Sequence, residues 1–176
     1  MPGQSAPIPA PDDATGRYAW PAGRRLARDL AALVRCHGLR VCDLGCGSGV
    51  VGLAALAAGA AEVVFLDGSE DALQLARAAA GGDARARFHH HLWGEAPPLG
   101  PYPLILGGDI LYREAFFPAL LRSIILGLER DGMCLLSDPR RQLEESLPGL
   151  AQEQGLDYQA ERHQDFTAVR LRHRSV

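Results

Sequence analysis

Val41-Cys42-Asp43-Leu44-Gly45-Cys46-Gly47-Ser48-Gly49 decides the fold. An apolar run enters a glycine-rich turn and leaves as Val50–Ala58, a stretch with helical character. A strand, a tight turn and a helix in that order form a nucleotide-binding unit. Glycine lets the backbone turn sharply and approach a ligand because no Cβ stands in the way. The spacing selects the kind of nucleotide. A dinucleotide fingerprint needs a third glycine three positions after the second, and Val50 occupies that place. The chain reads Asp-x-Gly-x-Gly-x-Gly instead, with Asp43 just ahead of the turn.

Outward from this turn, strand and helix alternate. A helix is expected over about 23–35, with Leu26, Leu30, Leu33 and Val34 on one face. Strands follow at Arg40–Leu44, Glu62–Leu66, Ala86–Leu92, Pro103–Leu106 and Gly132–Ser137. The helices between them are Val50–Ala58, Asp71–Ala80 and about 114–128. Ser69 or Glu70 is positioned to cap the second of these, and Pro118 requires a place in a helix's first turn. Beyond the fifth strand Pro148-Gly149 is expected to break a helical stretch in two. Two last strand-like runs, Tyr158–His163 and Phe166–His173, are joined so briefly that they must pair antiparallel. The alternation predicts an α/β fold with a doubly wound, mostly parallel seven-stranded sheet ending in an antiparallel hairpin. Residues 1–15, rich in proline and without apolar periodicity, read as a flexible tail, and 16–176 as one domain.

The Asp43-to-Gly49 motif resembles the first motif of the class I S-adenosylmethionine-dependent methyltransferases, and the terminal hairpin is similar to their topology. The resemblance implies S-adenosyl-L-methionine as cofactor and S-adenosyl-L-homocysteine as product. It implies cofactor contacts from Gly45, Cys46, Gly47 and Gly49, with Gly68 beside Asp67. Asp67 ends the second strand in Val63-Val64-Phe65-Leu66-Asp67. A carboxylate there can accept hydrogen bonds from both ribose hydroxyls, which accounts for an acid beside an apolar strand. Asp43 lies, in the resembled family, near the cationic sulfonium–methionine end; alternatively it hydrogen-bonds backbone amides of the turn. Trp93, in Leu92-Trp93-Gly94, is placed by the resemblance against the adenine, or else is ordinary packing.

The fourth strand runs into Gly107-Gly108-Asp109-Ile110-Leu111-Tyr112. Ligands of open α/β sheets bind outside the carboxyl ends of the strands, where strand order reverses, here between strands one and four. Asp109 then faces the methyl donor, or it caps the next helix. Gly107 and Gly108 are expected to admit the cofactor close to the backbone. Asp109-Ile110-Leu111-Tyr112 matches the acid-x-x-aromatic motif of the family-16-like seven-β-strand methyltransferases. Tyr18-Ala19-Trp20-Pro21-Ala22-Gly23 is similar to that family's entry segment, with Trp20 near the donor, and Ser137-Asp138-Pro139-Arg140 resembles a segment after its fifth strand. The lysine methyltransferases of the electron-transfer-flavoprotein β-subunit and their bacterial relatives are similar in these features, although Arg140 stands where they often have glycine. Asp109 and Tyr112 are the implied catalytic pair. Asp109 would orient an ammonium and stabilise the cationic product, and Tyr112 would offer its ring face or hydroxyl. The implied acceptor is lysine in a protein substrate. A small-molecule N-methyltransferase or a non-catalytic donor-binding adaptor remains open on the same motifs.

Composition limits the rest. The chain of 176 residues is 47% hydrophobic and 22% charged, as a globular protein is. A net charge of −3 gives no broad electrostatic signal for nucleic acid. All 18 basic residues are arginine, so a lysine-directed enzyme of this sequence cannot modify its own side chains. Cys36, Cys42, Cys46 and Cys134 show no disulfide or zinc spacing. Successive side chains on a strand point to opposite faces, so His89-His90-His91 cannot converge on one metal ion. No signal peptide or membrane-spanning run is read, and a reducing cytoplasm is the expected setting.

Overall fold

The structure, a computed structural model, describes residues 20–139 and 146–175. The expected tail over 1–15, Tyr18-Ala19 of the entry segment and Arg140 lie outside the described residues. Helix α1 (Pro21–Leu33) leads into β1 (Arg40–Leu44), α2 (Val50–Ala57), β2 (Glu62–Asp67), α3 (Glu70–Ala79) and β3 (Ala86–His90). Then come β4 (Tyr102–Gly108), a 3₁₀ turn (Glu114–Phe116), α4 (Phe117–Gly127), β5 (Leu128–Asp138), α5 (Leu147–Glu153), β6 (Leu156–Arg162) and β7 (Thr167–His173). The seven strands form one sheet in the order β3-β2-β1-β4-β5-β7-β6. All neighbours are parallel except β7, which runs antiparallel to both β5 and β6. Strand order reverses between β1 and β4, where the sequence placed the switch point.

The strands alternate their side chains between two cores. Val41, Val63, Phe65, Leu104, Leu106 and Leu135 face α1–α3 and pack with Leu26, Leu30, Val51 and Ala76. Cys42, Val64, Leu66, Ile105, Cys134 and Leu136 face the other way, against Leu120, Leu121 and Ile124 of α4 and Leu147 of α5. Both faces of the central strands are covered, so these read as unbroken apolar runs rather than alternating ones. Burying each such side chain stabilises the fold by about 1.5–3 kcal/mol.

Two expectations need correcting. Pro148-Gly149 does not interrupt α5: Pro148 lies in its first turn, and residues 140–145 ahead of it lie outside the described residues. A proline's missing N–H has no intrahelical partner there, so it is tolerated. The fifth strand begins at Leu128, which pairs with Tyr102 before the register jumps to Leu104–Met133. Residues 129–132 bulge out between the two pairings, which hides the early start from a reading of apolar continuity. Pro118 is in the first turn of α4, and the Ser69 hydroxyl accepts the Ala72 amide at 3.3 Å as the cap of α3.

Two glycines set how closely the helices approach the sheet. A Cβ on Gly52 would lie 2.3 Å from the Phe65 ring and 2.8 Å from an Asp43 carboxyl oxygen. One on Gly108 would lie 2.7 Å from Val51 Cγ2 and 3.0 Å from the Gly23 backbone. Gly52→Ala is therefore expected to lose about 1–3 kcal/mol of stability by overpacking. Gly149→Ala, in α5 with nothing within 4 Å of the added carbon, should gain about 0.5–1 kcal/mol. Urea denaturation of both variants checks the pair, and a neutral Gly52→Ala would show that α2 does not press on β2.

Candidate functional site

The turn after β1 is built from left-handed residues: Gly45 has φ 67°, Gly47 φ 53° and Gly49 φ 83°. Other L-residues pay a steric cost there. The Cys46 amide donates to the Leu66 carbonyl at 2.9 Å, and the Cys46 carbonyl accepts the Gly49 amide at 2.8 Å. The Cys46 side chain is buried in the α1–α3 core. A ligand contact from the thiol, as distinct from the turn backbone, does not fit this placement.

Asp67 reaches across from β2. One carboxyl oxygen accepts the Gly47 amide at 2.9 Å and the other the Ser69 amide at 2.9 Å. Burial raises its pKa, while the amides of Gly47, Ser69 and Gly68 pull it back. Each oxygen keeps a lone pair for a further donor, so a ribose diol is compatible with the amides already bound. Asp43 lies deeper, 1% exposed. Its Oδ2 accepts the Gly52 amide at 2.8 Å, and its Oδ1 is buried without a hydrogen-bond partner. The backbone amide it meets belongs to the first turn of α2 rather than to the glycine turn itself. Burial pushes its pKa up to about 7, the neighbouring Asp67 charge adds to the rise, and the Gly52 amide opposes it.

Asp109 ends β4 in the left-handed region, at φ 62°, and is 5% exposed. Its Oδ2 accepts the Ala22 amide at 3.1 Å, and its own amide donates to the Ser137 hydroxyl at 3.2 Å. The helix it caps is thus α1, whose first turn includes Ala22, and not the helix that follows it. Trp20 stands just ahead of that first turn, 41% exposed. The room left by the missing Cβ atoms of Gly107 and Gly108 is filled by protein, by Ile110 and Leu136 at Gly107 and by Val51 of α2 and Gly23 of α1 at Gly108. Packing by itself therefore calls for glycine at both positions.

Three aromatic rings pack together beside the loop after β4. Trp93 and Tyr112 have centroids 6.2 Å apart, and Phe116 meets each of them edge-on at 5.9 Å. A Cβ added to Gly45 would be 3.4 Å from the Trp93 ring, so the indole lies against the first glycine of the turn. The histidine run does not converge: His90 Nε2 is 3.0 Å from the Gly68 carbonyl and His91 Nε2 is 3.2 Å from that of Glu95. Among the described residues no group of three or more His, Cys, Asp or Glu is placed to hold a metal ion. Phe116 and Ser123 join this neighbourhood without having been singled out in the sequence. They carry no local motif, and their partners are far along the chain.

A model described as a methyltransferase domain matches residues 36–170, and the chain belongs to that family. It is 38% identical over 113 residues to the protein N-lysine methyltransferase METTL21A of Danio rerio, covering 59% of this chain and 51% of the relative. It is 39% identical over 94 residues to the EEF1A lysine methyltransferase 3 of Mus musculus, covering 50% and 40%. The chain thus spans about half or less of the length of these curated relatives. The magnesium protoporphyrin IX methyltransferase of Synechocystis PCC 6803, solved with bound S-adenosylmethionine, superposes with a TM-score of 0.69 at 20% identity. That likeness covers 88% of this chain and 80% of the other, and it shows the fold. The chain thus carries a methyltransferase domain, for which S-adenosylmethionine is the cofactor. The turn, the Asp67 carboxyl and the buried Asp43 oxygen fit that donor, which carries a ribose diol and two positive centres.

The Asp43 shift makes stability depend on pH. The native carboxyl holds its proton up to about pH 7, whereas the unfolded one releases it near pH 3.9. The native state therefore binds more protons between these values, and stability falls as pH rises through that window. Asp43→Asn should lack this loss and exceed the wild type in stability at pH 8 by more than at pH 4.5. Thermal melts at both pH values measure it; an equal gap at the two would place the titration elsewhere.

Proposed function

We propose that this methyltransferase acts on the side-chain amine of lysine in a protein substrate. The observation that carries the reading is a convergence at the β1–β4 switch point. There the glycine turn held by Asp67 meets the loop bearing Asp109 and Tyr112. The two lysine methyltransferases among its relatives support the choice of acceptor.

The donor supplies an electrophilic methyl carbon on a positively charged sulfur, displaced in line. The chain's own residues must then bind, align and exclude water. Asp67 takes the ribose hydroxyls beside Gly68, and the turn at Gly45–Gly49 carries the methionine end through its backbone. Asp43, beneath the turn, offers carboxyl charge to the cationic end. Trp93, Tyr112 and Phe116 form an apolar wall that keeps water from the transfer site. Trp20, ahead of α1, borders the same opening.

An amine acceptor is protonated near pH 7, with an ordinary pKa of about 10.4, and must release that proton before it attacks. A carboxylate beside it raises rather than lowers that pKa. Asp109 accordingly orients the amine and stabilises the cationic product, and the proton leaves to solvent. The same carboxyl holds the first turn of α1 through Ala22, so the acceptor loop and the entry helix are positioned together.

Two outcomes are expected. Asp67→Ala should weaken S-adenosylmethionine binding by about tenfold to a hundredfold, from hydrogen bonds to a charged group worth about 1.5–3 kcal/mol; calorimetry reads it. Asp109→Ala should bind donor nearly as the wild type does and lose about a hundredfold in turnover, the scale of a misplaced acceptor. Turnover is read by labelled donor on lysine-containing proteins. Label on lysine must come from a substrate, since the enzyme has no lysine. Donor affinity lost with Asp109 would instead assign that residue to the donor.

A further inference from the structure

The loop after β3 is tied to α4 by hydrogen bonds that no motif announces. Ser123 is fully buried on α4. Its hydroxyl accepts the Gly94 amide at 2.9 Å and donates to the Glu95 carbonyl at 2.9 Å. Next to it, Arg122 Nε donates to the Gly94 carbonyl at 3.0 Å. His91 Nε2 lies 3.2 Å from the same Glu95 carbonyl, which can only accept, so Nε2 carries the ring proton. Gly94 itself has φ 103°, a conformation that closes the loop sharply. One hydroxyl thus satisfies a donor and an acceptor on consecutive residues directly after Trp93.

The position of Trp93 gives this clamp a consequence. Its indole lies between Gly45 on the donor turn and Tyr112 and Phe116 on the acceptor loop. A ring in such a slot is fixed by its own backbone as much as by its neighbours, because a shift of the loop moves the whole indole. Geometry must be held to fractions of an ångström for an in-line transfer. We propose that Ser123 is a positioning residue: by pinning the Gly94–Glu95 backbone to α4 it holds the Trp93 indole against Gly45 and so sets one wall of the donor site. The inference rests on the reading of that turn as the donor site. It assigns Ser123 no contact with donor or acceptor.

The test uses the full chain and two independent readouts. The protein has two tryptophans, so in a Trp20→Phe background the emission reports Trp93 alone. There, Ser123→Ala should shift the emission to the red and increase quenching by acrylamide, with no ligand present. In the otherwise native chain, Ser123→Ala should bind S-adenosylmethionine about tenfold more weakly by calorimetry. Arg122→Met, an exposed change that removes one bond of the clamp, should move both readouts the same way by about two- to fourfold in affinity, and it decides the matter if Ser123→Ala does not fold. Ile124→Val, which thins the same helix without removing a bond to the loop, should leave the emission unchanged and the affinity within about twofold. Unchanged emission and affinity in Ser123→Ala, or an Ile124→Val that reproduces its effects, would overturn the proposal. A wild type that binds no donor would overturn the functional reading, and the emission series would still judge the clamp.

Discussion

Asp67 and Asp43 hold the two ends of one short segment from neighbouring strands. Asp67 takes the Gly47 amide within the turn, and Asp43 takes the Gly52 amide at the start of α2. Between these bonds the backbone passes through left-handed residues at Gly47 and Gly49, a path it would not hold unaided. Helix α2 can come down over β1 and β2 only because Gly52 has no side chain to strike Phe65 or Asp43. The acid, the glycine and the aromatic ring are therefore one constraint. Replacing any of them moves the turn.

The second joint lies one strand over. Gly108 lets α1 and α2 meet the end of β4, and Asp109 then spends its left-handed conformation and its carboxyl on the first turn of α1. Backbone strain of this kind costs about 1–3 kcal/mol and persists only where the surroundings over-determine it. Here they do: the Asp109 amide is held by Ser137 at the end of β5. Three segments far apart in sequence are locked by a single residue at the place where strand order reverses. That is a sound reason for an acid at this position whatever acceptor the enzyme uses.

Much of this was legible in the sequence, and the division has a physical basis. Strands buried on both faces announce themselves as apolar runs, so Arg40–Leu44 was placed to the residue and Glu62–Asp67 to within one. Turns governed by glycine and caps such as Ser69 are local chemistry and were equally visible. The helix over 147–153 was misjudged because proline in a first turn and proline in a helix interior look alike until the helix start is known. The bonds that shape the site are of another kind. Asp109 meets Ala22 across 87 positions, and Ser123 meets Gly94 across 29. No spacing rule encodes such pairs, since they depend on which faces of α1 and α4 the sheet leaves available. For the same reason the packing at Gly107 and Gly108 is invisible in the sequence: a missing side chain says that something comes close, and only the fold shows Ile110, Leu136, Val51 and Gly23 there.

Two carboxyls near one turn also bear on why the donor binds. Burial raises both pKa values, and the Asp67 charge makes that of Asp43 harder still to form. Charge on the buried Asp43 is therefore unfavourable by itself, and the Gly52 amide offsets that only in part. Under the proposed placement, a sulfonium beside Asp43 reverses the sign of that interaction, so part of the donor's affinity would come from relieving a cost the folded protein already carries. By mass action such a ligand stabilises the native state, by about 2.7 kcal/mol at a hundred times its dissociation constant. After transfer the sulfur is neutral, and the product offers these acids one positive charge fewer. Under the proposed placement, Asp43 then holds the spent cofactor less strongly than the donor, a bias toward release.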